Sequence, residues 1–191
     1  MTLERLILRN RSYRRFDASR PIEMDTLRYL VDMARQTPSA SNRQPLKYIL
    51  IADAAGCARL FPHLKWAAAL KDWAGPAENE RPTAYIIVVQ DKSLSTTVGC
   101  DHGVACQTLL LAAVERGLGG CMLGAVDRDG IRTAFKIPDP FEILLVVALG
   151  IPAETCLLED AKPGADVSYY RDSRGVHHVP KRSLDEVILK L

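Results

Sequence analysis

The sequence predicts an α+β domain, in which a small mixed or antiparallel sheet of about four strands is flanked by helices. Three segments carry this prediction. Tyr85–Gln90 and Glu142–Leu149 are short runs rich in β-branched and apolar residues, as expected of buried strands. His102–Glu115 is apolar nearly all round, which indicates a helix in the centre of the domain or at a subunit contact.

Apolar periodicity and turn residues place the other elements. The predicted helices are Thr2–Asn10, Asp25–Arg35, Ala54–Phe61 and His63–Trp73 (the last two on either side of Pro62), Asp127–Phe135 and a short helix at Leu184–Leu191. A further strand is predicted at Lys47–Ala52 and a loop at Gly75–Pro82. Gly117–Gly120 is predicted to be a helix C-cap before a strand that ends at Leu123. Residues 153–182 are polar and lack apolar periodicity, so we expect an irregular arm that lies on another surface.

Composition bounds the class of protein. The 191 residues are 48% apolar and 25% charged, as in a soluble globular protein, and they suit one domain spanning residues 1–191. A net charge of +2 gives no reason to expect a nucleic acid or an anionic membrane as a partner. Apolar runs such as Ile143–Leu149 fall far short of the ~20 residues that a membrane span needs, and the N-terminus carries no secretory signal, so we expect a cytoplasmic location.

The five cysteines are scattered along the chain and show neither a CxxC nor a Cys/His ligand spacing. This pattern argues against zinc, an iron–sulfur cluster and a disulfide framework, so no metal is expected. Cys106 and Cys121 lie in apolar sequence and are predicted to be buried small hydrophobes.

Two short segments near the N-terminus carry most of the functional information. Arg11–Phe16 places guanidinium groups and a hydroxyl side by side, a combination suited to a phosphate dianion. Charge alone also fits a solvated helix end, where the macrodipole favours arginine. Pro38–Pro45 is a run of small and amide side chains between two prolines, which fits either donors presented to a flat polar ring or an ordinary loop.

Two later segments complete the pattern. Gly117–Gly124 is not a dinucleotide fingerprint, because Met122 stands where the third glycine would fall and the run follows a helix. The end of this glycine-rich run leads into the first of the two segments, Leu123-Gly124-Ala125-Val126. The second segment, Pro180-Lys181-Arg182, lies near the C-terminus. Taken in order, the four segments resemble those of the FMN-dependent nitroreductase family, and the resemblance spans nearly the whole chain.

The resemblance implies a bound FMN. Arg11 and Ser12 would hold its phosphate, and Arg14 would reach the polar edge of the isoalloxazine ring. Backbone amides near Gly124 would meet flavin N5 and O4, so Arg14 and Gly124 are the candidate catalytic residues. The candidate cofactor-binding residues are Arg11, Ser12, Arg14, Pro38, Ser39, Ala40, Asn42, Gln44, Leu123, Gly124, Ala125, Lys181 and Arg182. Asn10 stands where the family often has a second basic residue, a charge that Arg9 or the pair Lys181 and Arg182 would supply.

The resemblance also implies an architecture. The nitroreductase-like fold is an intertwined homodimer with two FMN sites at its interface. Pro38–Pro45 of one subunit would cover the flavin of the other. Residues 153–191 would form an extended C-terminal arm that packs on the partner subunit.

The implied activity is that of an FMN-dependent NAD(P)H oxidoreductase. In a ping-pong reaction, NAD(P)H would transfer hydride to flavin N5, and a small-molecule acceptor such as a nitroaromatic or a quinone would then take the electrons. Alternatives are a flavoprotein with another redox substrate (a reductive dehalogenase or an enone reductase), a flavin-binding or sensory module without turnover, and an arginine-rich nucleic-acid adaptor. Candidate residues of the substrate pocket are Trp66, Leu70, Lys71, Trp73 and Tyr170, although packing alone also explains the tryptophans.

Overall fold

The computed structural model describes residues 1–189 and centres on a four-stranded sheet. Its strands are β1 (Leu46–Ile51), β2 (Ala84–Asp91), β3 (Gly119–Leu123) and β4 (Phe141–Gly150). They lie in the order β1-β2-β4-β3, and each neighbouring pair is antiparallel. Every residue of β2 is buried, as its β-branched sequence predicts, and the sheet is the centre of the core.

Residues 1–189 contain six α-helices, four of which (the second to the fifth) cover the two faces of this sheet. In chain order the six are α1 (Leu3–Arg9), α2 (Met24–Arg35), α3 (Ala54–Leu60), α4 (Asp101–Glu115), α5 (Arg128–Phe135) and α6 (Leu184–Val187). Alternate residues of β2 point to opposite faces, so Ile86 and Val88 pack with α2 and α4 while Ile87 and Val89 pack with α3 and α5. The predicted α+β class with helices around an antiparallel sheet is therefore confirmed.

A second, three-stranded sheet forms in the region predicted to be irregular. Its strands, β5 (Cys156–Asp160), β6 (Tyr170–Arg171) and β7 (His177–Lys181), lie in the order β5-β7-β6. The prediction that residues 153–182 lack regular structure is wrong, because these strands are short and carry ionisable side chains where an apolar alternation would have marked them. The packing of residues 153–191 on a partner subunit stays a prediction, and residues 190–191 of the predicted last helix lie outside the described residues.

The predicted helix at His63–Trp73 is also wrong. A 3₁₀ turn spans Phe61–His63, and Leu64 then forms an isolated bridge with Val126. The Lys65 N–H donates to the Ala125 carbonyl at 3.1 Å, so tertiary pairing overrides the local helical pattern. The other helices and strands predicted before residue 153 agree with the structure to within a few residues.

Several smaller predictions are confirmed. Gly117 has φ +76 at the end of α4, as expected after a helix C-terminus. Cys106 and Cys121 are buried, and burial raises the pKa of each thiol to about 12, so both remain neutral hydrophobes. No helix among residues 1–189 is long and apolar enough to cross a membrane.

Candidate functional site

The N-terminal basic segment lies against β3, one of the two edge strands of the main sheet. Ser12 forms a parallel bridge with Gly120, and the Tyr13 N–H donates to the Gly120 carbonyl at 3.1 Å. A Cβ atom on Gly120 would lie 2.3 Å from the Ala148 carbonyl oxygen, so only glycine lets β3 contact both neighbours here. This pairing fixes Arg11 and Ser12 at the sheet edge.

Arg11 and Ser12 line a small pocket of about 170 Å³ between this edge and α4. The Arg11 Nη2 donates to the Ile7 carbonyl at 2.6 Å, whereas its Nε is buried without a hydrogen-bond partner within the described chain. Ser12 is exposed. An unused guanidinium donor beside an exposed hydroxyl suits a ligand that only accepts hydrogen bonds, such as a phosphate. The Asn10 amide donates to Gln107 of α4 at 3.4 Å and supplies no charge.

Arg14 points to the C-terminal sheet. Its Nη1 lies 3.2 Å from the Ser12 carbonyl oxygen and 3.3 Å from His177 Nε2. Its guanidinium carbon lies 4.9 Å from the centre of the Tyr169 ring, within the range of a cation–π contact. The Arg14 side chain is therefore held by groups from both ends of the chain.

Glu154 joins these two ends. Its side chain is only 2% exposed, and Oε1 accepts the backbone N–H groups of Arg14 and Arg15 at 2.5 and 3.1 Å. Its Oε2 accepts from Arg171 Nη2 at 2.8 Å. Sequence reasoning missed Glu154, because an isolated acidic residue in a polar segment gives no pattern that separates it from a surface carboxylate.

The backbone after β3 is open on one side. Leu123 is buried, whereas Gly124 and Ala125 are exposed, and a Cβ built on Gly124 would meet nothing within 4 Å. The distance along β3 from Gly120, beside Ser12, to Gly124 is about 13 Å at the usual rise per residue. A planar group could approach Gly124 from the side where a Cβ atom would lie, while the Gly124 carbonyl accepts from Arg128 Nη2 at 3.3 Å.

The Pro38–Gln44 loop lies away from the β3 edge, around the first turn of α4. The Ser39 hydroxyl donates to Asp101 Oδ2 at 2.6 Å, and the Ala40 N–H donates to Asp101 Oδ1 at 3.0 Å. Asn42 and Gln44 have φ of 52 and 50, a left-handed conformation in which non-glycine residues are strained. The loop lines a pocket of about 360 Å³. Sequence reasoning named this loop but missed Asp101, its anchor.

The structure does not bring all the predicted site residues together within one chain. Arg11 and Ser12 share the β3 edge with Gly124, whereas the Pro38–Gln44 loop lines a pocket that has no residue in common with theirs. Lys181 and Arg182 are exposed, and no hydrogen bond or ion pair described for residues 1–189 joins either of them to Arg11 or Ser12. Arg182 instead lies 3.8 Å from Glu186 in an ion pair.

The candidate pocket residues divide into two groups. Trp66 is 9% exposed and packs on Phe61 in the core, with ring centres 5.9 Å apart. Trp73 is half-buried between Arg15 and Arg171, whose guanidinium carbons lie 5.8 and 4.7 Å from its ring centre. An open pocket of about 520 Å³ is lined by Trp73 together with Arg15, Leu70, Lys71, Tyr170 and Arg171.

Two adjacent histidines of β7 have opposite environments. Burial lowers the pKa of His177. Hydrogen bonding to Glu159, with a further contribution from Asp172, raises the pKa of His178, which also stacks on Tyr170. Within residues 1–189, no group of three or more His, Cys, Asp or Glu side chains is placed to hold a metal ion.

Comparisons with known proteins identify the family of this chain. Residues 7–151 match the profile described as the nitroreductase family. A protein of Methanothermobacter thermautotrophicus, described as a candidate NADH dehydrogenase/NAD(P)H nitroreductase, is 32% identical over 151 residues, which cover 75% of this chain and 74% of that protein.

Solved structures share the fold. A nitroreductase family protein of Streptococcus pneumoniae superposes with a TM-score of 0.70 at 15% identity, covering 100% of both chains. A candidate nitroreductase of Exiguobacterium sibiricum, solved in complex with FMN, gives a TM-score of 0.66 at 18% identity and covers 81% of this chain and 90% of its own. With the profile matched over most of its length, this chain belongs to the nitroreductase family.

Proposed function

We propose that this chain is an FMN-dependent NAD(P)H oxidoreductase that passes electrons to a small conjugated acceptor such as a nitroaromatic or a quinone. The observation that carries the proposal is the β3 edge. It places the unpaired Arg11 Nε and the Ser12 hydroxyl at one end and the open Gly124 backbone at the other. The relative at 32% identity is described as a candidate NADH dehydrogenase/NAD(P)H nitroreductase, which supports the choice of electron donor.

The residues present fit FMN. A phosphate needs several donors and no competing carboxylate, which the Arg11 and Ser12 pocket provides. The polar edge of a flavin ring needs a backbone that it can approach, which Gly124 provides because it has no side chain and the space on its Cβ side is open. The FMN complex of the Exiguobacterium sibiricum protein, which shares this fold, supports the same cofactor.

When bound, FMN supplies the hydride acceptor that amino-acid side chains lack. Arg11 and Ser12 bind the phosphate, whose charge stays constant through the reaction. Arg14 places a fixed positive charge near the ring, where negative charge grows on reduction, so it contributes to the rate more than to affinity. The Gly124 and Ala125 backbone amides orient the edge of the ring.

The separation of the two pockets within one chain is consistent with a site that two subunits share. We propose a homodimer in which Pro38, Ser39, Ala40, Asn42 and Gln44 of one subunit cover the flavin of the other. The Ser39 hydroxyl proton is committed to Asp101, so this residue contributes mainly by fixing the loop, while the Asn42 and Gln44 amides remain exposed. Lys181 and Arg182 are proposed to close over the phosphate in that assembly.

Cofactor analysis tests the proposal. Purified protein should release FMN on heating, as chromatography would show, and NADH or NADPH should bleach its yellow colour until a quinone restores it. Arg11→Ala should weaken FMN binding more than it slows reduction of the flavin, and Arg14→Ala should do the reverse. Recovery of FAD, or of no flavin after reconstitution, contradicts the proposal. A yellow protein that neither nucleotide bleaches is a binding module.

Mixed dimers test the shared site. Refolding Arg11→Ala chains with Asn42→Ala chains should give heterodimers with one intact site and one doubly damaged site. Such mixtures should bind more FMN than either parent variant. If confirmed heterodimers bind no more than the parents, each site belongs to one subunit.

A further inference from the structure

Arg14 has an unusual hydrogen-bond partner. Its Nη1 lies 3.3 Å from the Nε2 atom of His177, which is almost fully buried at 1% exposure. The Tyr169 ring completes the enclosure, since its centre lies 5.3 Å from that of His177 and 4.9 Å from the Arg14 guanidinium. We propose that His177 is a positioning residue that holds the Arg14 guanidinium in place through an imidazole lone pair, an inference that rests on the proposed role of Arg14 beside the flavin.

The direction of this hydrogen bond fixes the state of the imidazole. A guanidinium offers only donors, so Nε2 of His177 must accept. The ring proton is then on Nδ1, and the imidazole is neutral. His177 Nδ1 is itself buried and has no hydrogen-bond partner within the described chain, so no other contact competes for the ring. Among the described residues, the hydrogen bond of the His177 ring thus goes to Arg14, while Tyr169 packs beside the ring.

The surroundings of His177 favour this neutral state on balance. Burial lowers the pKa of His177, and the charges of Arg14, Arg171 and His178 lower it further. The charge of Glu154, the largest influence after burial, acts in the opposite direction and raises it. Cys156, the register partner of His177 on β5, stays neutral because burial raises the pKa of its thiol to about 12.

Protonation of His177 would release Arg14. It would turn Nε2 into a donor facing a second donor and place two positive charges about one hydrogen bond apart. The hold on Arg14 is thus complete above the ordinary histidine pKa of about 6.5 and fails in acid. The neighbouring His178 projects to the other face of β7, toward Glu159 and Asp172, and makes a matched control.

Nuclear magnetic resonance of the histidine ring nitrogens in the flavin-free protein tests the hold directly. His177 should appear as the Nδ1–H tautomer with a pKa below that of a free histidine. Arg14→Ala should raise that pKa, because it removes one of the charges that lower it. An Nε2–H tautomer, or a His177 pKa that Arg14→Ala leaves unchanged, overturns the proposal.

The FMN-loaded protein tests the consequence. His177→Leu, which removes the acceptor, should slow flavin reduction by NADPH or NADH roughly tenfold, the value of one hydrogen bond to a charged group. His177→Gln restores an acceptor at the same reach and should recover most of the rate, while His178→Gln should leave it unchanged. Wild-type reduction should fall in acid as His177 protonates, and His177→Gln should lack this limb.

Other outcomes count against the proposal. Equal losses of the flavin reduction rate in His177→Leu and His177→Gln would show that His177 has a packing role only. A loss of rate that is explained by a matching loss of FMN affinity would show the same. If neither NADH nor NADPH reduces the wild-type flavin, the proposed function is overturned, whereas the tautomer and pKa of His177 in the flavin-free protein still decide whether His177 holds Arg14.

Discussion

The two sheets of this protein are stabilised by different forces. The four-stranded sheet lies between two apolar layers, and β2 is buried along its whole length. The three-stranded sheet, β5-β7-β6, is held by ionisable contacts: Arg171 with Glu154, and His178 with Glu159 and Asp172. Apolar burial responds little to pH, whereas ion pairs depend on protonation. We call the region where Arg14 and Glu154 connect the two sheets the junction. One side of the junction is therefore rigid, and the other side is one that pH can alter.

Removing the buried charge at the junction should have the largest effect. Glu154→Ala leaves the Arg171 guanidinium and two backbone amides without their acceptor, so we expect the free energy of unfolding to fall by about 3–5 kcal/mol. Urea unfolding followed by circular dichroism measures it. Asp160→Ala removes an exposed carboxylate from the same sheet and should change stability by less than about 0.5 kcal/mol. Similar small values for both variants would mean that the ion pair does not join the two sheets.

A cavity in the apolar layer should have the next largest effect. Leu109 is fully buried on α4, so Leu109→Ala should lower the free energy of unfolding by about 2–5 kcal/mol. Leu157→Ala, on β5 where the side chain is 46% exposed, is the matched control and should be nearly neutral. The loss at Leu109 should be the same at pH 5 and pH 8, which lie on either side of the histidine midpoint of about 6.5. A strong pH dependence would contradict the division between the two sheets.

The Pro38–Gln44 loop belongs to neither sheet, and a single carboxylate fixes it to the apolar body of the protein. Asp101→Ala removes the acceptor of the Ser39 hydroxyl and the Ala40 amide and should cost about 1–3 kcal/mol. The cost should be local: amide exchange in residues 38–44 should accelerate while β2 stays protected. Glu115→Ala, exposed at the end of α4, should leave exchange in the loop unchanged. Faster exchange throughout β2 would show that Asp101 supports the whole fold instead.

The smallest expected effect concerns His178. Its pKa is raised by hydrogen bonding to Glu159, so it stabilises the fold fully below the unfolded-state pKa of about 6.5 and loses this contribution as the pH rises through the folded value. The difference in unfolding free energy between wild type and His178→Gln should shrink as the pH rises over that range. A difference that is constant with pH would mean that His178 contributes through its stacking on Tyr170 alone.

Whether an element could be predicted from the sequence depends on the kind of interaction that stabilises it. The elements of the main sheet were predictable because burial imposes apolar periodicity on the sequence. Residues 63–73 and 153–182 were not, because pairing with distant strands and ion pairs decides their structure. The same reason explains the site. Arg11, Ser12 and Gly124 belong to local motifs, whereas the two residues that contact Arg14 are distant in sequence: Glu154 is 140 residues from it and His177 is 163 residues from it. Local sequence carries no mark of either contact.

The placement of the two tryptophans gives the protein two separate optical reporters. Trp66 is enclosed in the core beside Phe61, so its emission should follow unfolding of the body. Trp73 lies between the Arg15 and Arg171 guanidinium groups at the junction, where nearby cations and partial solvent access shape its excited state. In Trp66→Phe protein, tryptophan fluorescence would come from Trp73 alone. Loosening of the C-terminal sheet could then be seen, in real time and without a label, apart from the melting of the core.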